Sequence, residues 1–232
     1  MNFTLLHGAW HGAWCWDFVT PILRDRGHRV SRPVLSGLGE NAHFLSTEIT
    51  LQTWVDELVA HLEAEDMSDT VLVGHSFGGN IITGAAARIP DRIGRLVYLD
   101  AMIPQSGVAP CETVPPKVWA ERRAGVIDHV GVPCLPCPPA AAFGISDQKQ
   151  VDFIERHLTP HPVRTYETAI EFDGKPGGGL DARYIMAAAP VYSSLAAHRE
   201  RAKELGWPIH EIACGHDAMI AKPEALADLL EG

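Results

Sequence analysis

The chain has 232 residues, 46% of them hydrophobic and 21% charged, which is enough for one sizeable core without disulfide or metal staples. A formal net charge of -10, with Lys and Arg scattered singly, leaves no basic stripe to neutralise phosphates, so nucleic acid and an anionic membrane surface are excluded as partners. The apolar opening at Met1–Leu6 is too short and lacks the basic start of a leader, no run of about 18 apolar residues suggests a span, and the odd number of irregularly spaced cysteines argues against a secreted disulfide framework; a cytoplasmic protein is expected, its oligomeric state open and a homodimer compatible.

Short apolar runs alternate with helical patterns, the order that predicts parallel strands joined by crossover helices in a single α/β domain. The first strand, 2–6, runs into His7-Gly8-Ala9-Trp10, which is repeated at once as His11-Gly12-Ala13-Trp14. Two copies of four residues make a local feature and no solenoid. The glycine turn either only reverses the chain or aims a backbone N–H, that of Ala9, at a pocket. A strand at 28–34 follows, then helical spacing in Trp54, Leu58, Val59 and Leu62, then a strand at 70–74.

That third strand ends in Gly74-His75-Ser76-Phe77-Gly78, and a helical run with Ile81, Ile82 and Ala85 begins directly after it. G-x-S-x-G between strand and helix is the context of a nucleophile elbow: flanking glycines let the backbone turn sharply, the serine hydroxyl stands clear of the sheet, and the helix N-terminus faces developing negative charge. Ser76 is therefore the candidate nucleophile. The N–H of Phe77, the residue after it, joins that of Ala9 as a candidate oxyanion hole.

After a strand at 95–100 the alternation breaks. From Pro104 to Gly179 the chain carries Pro-Pro pairs, a run of three glycines and helical patches near 117–124 and 147–158, too long for a simple loop. An inserted helical cap over about 104–180 is expected, with core segments 1–103 and 181–232. Trp119, Phe143, Ile145 and Phe153 are its candidate pocket contacts, and equally candidates for its own core. Cys134 and Cys137 form half of a zinc set with no second pair, so no metal is expected. Strands at 183–188 and 208–213 flank a helical pattern at Leu195, Ala196 and Arg199, and the last is followed by Gly215-His216-Asp217. His216, last in the chain order of serine, acid and histidine, is the candidate base.

Together Leu6 to Trp14, Val73 to Gly79 and Gly215 to Met219 resemble the α/β hydrolases related to plant methylesterases, salicylic acid-binding protein 2 among them, and to plant hydroxynitrile lyases; bacterial carbamate-ester hydrolases also look similar. The resemblance covers nearly the whole chain. It implies a mostly parallel six-stranded sheet with helices on both faces, a cap inserted after Leu99-Asp100, and no cofactor. The lyases of this family carry a lysine after the catalytic histidine and a threonine after the first-turn histidine, where this chain has Asp217 and Gly8, so lyase chemistry is disfavoured. In the plant relatives the triad acid lies in a loop after the strand matching Tyr184–Met186, but here Ala187 to Ser193 holds no carboxylate.

Asp100 is the candidate acid instead. It ends a buried strand beside the one that bears Ser76, at the face where open α/β sheets bind ligands. Asp181 precedes its strand, Asp217 adjoins the histidine with poor reach, and Glu171 and Asp173 lie in the cap's return. The other role open to Asp100 is to cap the turn into Ala101. The reading is a serine esterase acting on a small apolar or aromatic carboxylic or carbamic ester, with a hydrolase-fold binding protein of little turnover as its rival.

Overall fold

The runs Phe3–Leu6, Val71–Val73 and Leu96–Leu99 are buried along their length, and they form the middle of the main sheet in the computed structural model, which describes residues 1–232. In chain order the strands are β1 (Asn2–Leu6), β2 (Arg29–Ser31), β3 (Thr70–His75), β4 (Ile93–Leu99), β5 (Ile127–His129), β6 (Val132–Leu135), β7 (His161–Pro162), β8 (Asp181–Ala187) and β9 (Ile209–Ile212). Six of them make one sheet in the order β2-β1-β3-β4-β8-β9, every neighbour parallel. The helices are α1 (Val19–Asp25), α2 (Leu51–Ala64), α3 (Gly78–Arg88), α4 (Pro110–Thr113), α5 (Pro116–Ala124), α6 (Gln148–His157), α7 (Arg164–Glu167), α8 (Ala196–Glu204), α9 (Ala218–Ala221) and α10 (Pro223–Glu231).

The strand order positions the site. From β1 the chain steps one way to β2, then crosses back to β3 and continues the other way, so right-handed crossovers put α1 on one face and α2 and α3 on the other. Consistent with this, α1 packs with α10 and α2 with α3. The reversal falls between β1 and β3, and ligands of open α/β sheets bind at the carboxyl ends of strands there. The turns after β1, β3 and β4 therefore meet at one place.

α2 starts in a capping box, Thr50 and Thr53 each accepting the other's backbone N–H, and buries Leu51, Trp54, Val55, Leu58, Val59 and Leu62 on one side. α3 is apolar nearly all round because it lies between the sheet and α2. It approaches so closely that a Cβ on Gly79 would stand 2.0 Å from the Met102 carbonyl oxygen.

Five of the six expected strands shift at their ends, and three of the shifts have a visible cause. β2 stops at Ser31, because the chain turns away so that the Leu35 N–H can reach the His7 ring at 3.2 Å. β4 ends at Leu99, since Asp100 takes φ +38° and leaves the ladder. β8 begins at Asp181, whose carboxylate meets Arg95 Nε at 2.7 Å across the β4 pair, at the end of the sheet away from the site.

The excursion between β4 and β8 is not purely helical, which corrects the expectation. Beside α4 to α7 it holds the antiparallel sheet β5-β6-β7. Val130 and Gly131, both at positive φ, make the two-residue hairpin turn that pairs His129 with Val132. Trp10 ties this segment to the core, its indole N–H donating to the Leu135 carbonyl at 3.3 Å and its own carbonyl accepting from the Thr159 N–H at 3.0 Å.

Candidate active site

The turn after β3 is strained, and the strain is held by neighbours. Ser76 has φ +54°, and its backbone is clamped on both sides: its N–H donates to the Leu99 carbonyl at 3.1 Å, and its carbonyl accepts from the Met102 N–H at 2.9 Å. The turn after β4 is thereby locked onto the elbow. Asp100 itself is fixed by a 2.7 Å bond from its N–H to the Ile185 carbonyl. With Trp10 at φ +65°, three non-glycine residues in the left-handed region surround one point, a cost that over-determined surroundings sustain at functional sites.

The loop after β9 brings His216 to that point, almost wholly buried. Its Nε2 stands 2.9 Å from the Ser76 hydroxyl and its Nδ1 stands 2.7 Å from Asp100 Oδ2. A carboxylate only accepts, so Nδ1 carries the proton and Nε2 is left to accept from the serine. The three residues picked from the chain are thus brought together in hydrogen-bond order, and Asp100 does more than cap a turn. Ala9 and Phe77 flank Ser76, and neither backbone N–H donates to any acceptor within the chain. Both amides are free to meet an oxyanion.

Several neighbours of the site carried no signal in the sequence. Arg199, expected only to cover the sheet, is buried and donates to Asp100 Oδ1 at 3.1 Å and to the Tyr192 carbonyl at 2.7 Å. The loop that lacks a carboxylate supplies Tyr192 instead, whose ring stacks on His216 with centroids 4.4 Å apart. His11 uses both ring nitrogens on acceptors: Nδ1 on the Ala9 carbonyl at 2.8 Å and Nε2 on Asp217 Oδ2 at 3.1 Å. Burial opposes charge there, but the Asp217 carboxylate outweighs it and raises the His11 pKa. Asp217, which makes no hydrogen bond to Ser76 or to the His216 ring, ties the turn after β1 to the His216 loop through His11.

His7 holds the first turn in a single tautomer. The Leu35 N–H donates to its Nε2, so Nδ1 carries the proton given to the Gly8 carbonyl at 2.9 Å. Burial pushes its pKa down to about 4, so the ring stays neutral. A Cβ on Gly8 would lie 2.7 Å from Ser76 Cβ and 3.0 Å from the His75 carbonyl oxygen, so any side chain at that position crowds the nucleophile.

Of the four candidate pocket residues, Phe143 comes nearest the relay, its ring 6.1 Å from that of His216 and 5.1 Å from that of His11. Trp119 stacks on Tyr166, which in turn lies against Phe77 at 4.6 Å. Ile145 is buried. Phe153 packs against Trp14, Phe18 and His157, so it serves as core between α6 and the first turns rather than as a wall beside Ser76. His75, His216 and Asp217 place metal-ligand atoms within 4.8 Å of one another, but both His216 nitrogens are already taken by Ser76 and Asp100. Cys134 and Cys137 are free thiols, one buried and one exposed. No helix is long and apolar enough to cross a membrane.

The chain is similar to known proteins over nearly its whole length. The chain is 36% identical over 241 residues to a carbendazim-hydrolysing esterase of a Nocardioides strain, an alignment that spans 99% of this chain and 98% of the relative. It is 26% identical over 247 residues to methylesterase 7 of Arabidopsis thaliana, spanning 99% and 94%. An extracellular α/β-hydrolase from a Paenibacillus species superposes with a TM-score of 0.85 at 22% identity, over 99% of this chain and 97% of that one. The model of the alpha/beta hydrolase family matches residues 5–229, and on that extent of agreement the chain belongs to the α/β-hydrolase family.

Proposed function

We propose that the chain is a serine esterase that cleaves a small apolar or aromatic carboxylic or carbamic ester through a covalent acyl-enzyme. The observation that carries the reading is the unbroken relay from Asp100 through His216 to Ser76, at 2.7 and 2.9 Å. Ser76 Oγ attacks the ester carbonyl as its proton passes to His216 Nε2, and the carbonyl oxygen becomes an oxyanion facing the N–H groups of Ala9 and Phe77. Collapse expels the alcohol, which takes the proton back from His216. Water then repeats the sequence on the acyl-enzyme and releases the acid. Asp100 holds the imidazole in the required tautomer and stabilises the imidazolium formed in each half.

The names of the relatives, a carbendazim-hydrolysing esterase and a methylesterase, support ester and carbamate substrates alike. Segment 104–180 serves as the cap, supported by the position of Phe143 and by the bonds from Trp10. The five free cysteines support a cytoplasmic setting, and the scattered basic residues support a small molecule, not nucleic acid, as partner. The crowding at Gly8 and the commitment of Asp217 to His11 speak against hydroxynitrile-lyase chemistry.

A fluorophosphonate probe together with 4-nitrophenyl acetate tests the proposal. The esterase reading expects labelling and turnover that vanish in Ser76→Ala while the thermal melt stays within a few degrees. A protein that neither labels nor turns over would be a binding protein on this fold.

A further inference from the structure

One charge beside the site has no counter-charge in the protein. Arg122, on α5, has no carboxylate partner, although its neighbour Arg123 pairs with Glu167 at 2.9 Å. Its guanidinium lies 5.8 Å from the centre of the Trp10 ring and 5.9 Å from that of Tyr166, and it donates one N–H to the Tyr192 hydroxyl at 3.2 Å. Those three rings mark three sides of the catalytic point: Trp10 follows Ala9, Tyr166 lies on Phe77 at 4.6 Å, and Tyr192 stacks on His216 at 4.4 Å. Arg122 thus sits among three rings that each neighbour a residue of the relay or the turns beside it.

None of the three supplies a counter-charge. Burial pushes the Tyr166 phenol up to about 12 and holds the nearby His161 neutral, so neither offers the guanidinium a counter-charge. Aromatic faces attract a cation without using its N–H donors, and an arginine has five donors in a planar fork that matches a carboxylate or carbonyl. The side chain is thus held in place with most of its hydrogen-bonding capacity unspent, and it is partly exposed. An arginine that served only to fasten α5 to the core would be expected to have its charge met by the protein, as Arg123 does.

Resting on the esterase reading, we infer that Arg122 is a specificity-determining residue that selects esters carrying a carboxylate or carbonyl acceptor on the part of the molecule remote from the scissile carbonyl. The guanidinium binds the acceptor while the aromatic rings take the apolar body between. The contact forms on binding and persists through acyl transfer, so its effect falls mainly on KM.

The test compares methyl benzoate with the monomethyl half-esters of phthalic, isophthalic and terephthalic acids, which place a carboxylate at three distances from the ester. The wild-type protein is expected to favour at least one half-ester over methyl benzoate by about tenfold or more in kcat/KM, the range of a charge-assisted hydrogen bond. In Arg122→Met, which keeps the apolar stem on Trp10 and Tyr166, that ratio should fall to near one through KM. Arg122→Lys, which restores the charge without the fork, should recover part of it.

Three results would overturn the inference while leaving the esterase reading intact: no half-ester is favoured, the preference survives in Arg122→Met, or Arg122→Met lowers all four substrates by one factor, the sign of a residue that only braces the cap. If the wild-type protein neither takes the fluorophosphonate nor cleaves 4-nitrophenyl acetate, the esterase reading fails and the inference fails with it.

Discussion

Arg199 holds the Asp100 carboxylate by Oδ1 at 3.1 Å and leaves Oδ2 to His216 at 2.7 Å. The carboxylate is fully buried, so Arg199 supplies the counter-charge and His216 a hydrogen bond where water cannot reach. The two contacts have different consequences. Asp100→Asn offers His216 a poorer acceptor or the wrong tautomer, and kcat should fall by a factor on the order of a thousand or more with little change in KM. Arg199→Met leaves the relay complete but the buried carboxylate half-compensated, and should cost about 3 kcal/mol of stability, read as a lowered thermal melt. A kcat loss in Arg199→Met equal to that of Asp100→Asn would show that the arginine acts in the chemistry itself.

Gly8 sits where a side chain meets the nucleophile. Gly8→Ala brings a Cβ to 2.7 Å from Ser76 Cβ and 3.0 Å from a backbone carbonyl, distances that force the elbow or the first turn to move. A displacement on the order of 1 Å at reacting atoms lowers kcat by about a hundredfold. Steady-state kinetics on 4-nitrophenyl acetate would measure this, and near-normal turnover would mean that the two turns shift without cost.

Asp217 and His11 form a second buried His–Asp couple, and two substitutions separate its parts. Asp217→Ala leaves the His11 Nε2–H without an acceptor and should destabilise the fold by about 2 kcal/mol. In Asp217→Asn the amide N–H can donate to a neutral His11 while the Nδ1–H keeps its bond to Ala9, so the loss should be under about 1 kcal/mol. Chemical denaturation of the two variants decides it. Equal losses would point to the negative charge, and not the hydrogen bond, as what the couple needs.

The buried histidines make the fold acid-sensitive. His7 and His198 are pushed down to about 4 by burial, and His75 and His161 lie well below the ordinary 6.5 for the same reason. Between pH 6.5 and 4 the unfolded chain binds protons at these sites and the folded chain does not, so stability rises with pH across that window and is lost as pH falls through it. His7 and His198 each account for something on the order of 3 kcal/mol of that loss. His11, whose pKa is raised, acts in the other direction, with stability present at low pH and lost as pH rises through its folded value. Four groups outweigh one, so the thermal melt should drop steeply once the pH is taken below about 6.5. A flat melt down to pH 5 would contradict it.

Ser76, His216 and the six-stranded sheet were legible in the chain itself because each rests on local chemistry. Glycines on either side of a serine dictate a sharp turn, near-continuous Val, Leu and Ile runs dictate strands covered on both faces, and a histidine after the last run can only arrive at their carboxyl ends. Asp100 was legible by elimination, since the Ala-rich loop before Tyr192 offers no carboxylate. The bond from Ser76 N–H to the Leu99 carbonyl that locks the two turns together belongs to the tertiary structure. So do Arg199 on Asp100, His11 on Asp217 and Arg122 over Trp10 and Tyr166, pairs separated by 99, 206 and more than 40 residues. An arginine in a helical pattern reads as solvated, and only packing decides whether its guanidinium meets water, a buried carboxylate or aromatic faces. The Phe153 side chain shows the same limit: its apolar character favoured packing, while the approach of α6 to Trp14 and Phe18 determined that it packs there, partly buried.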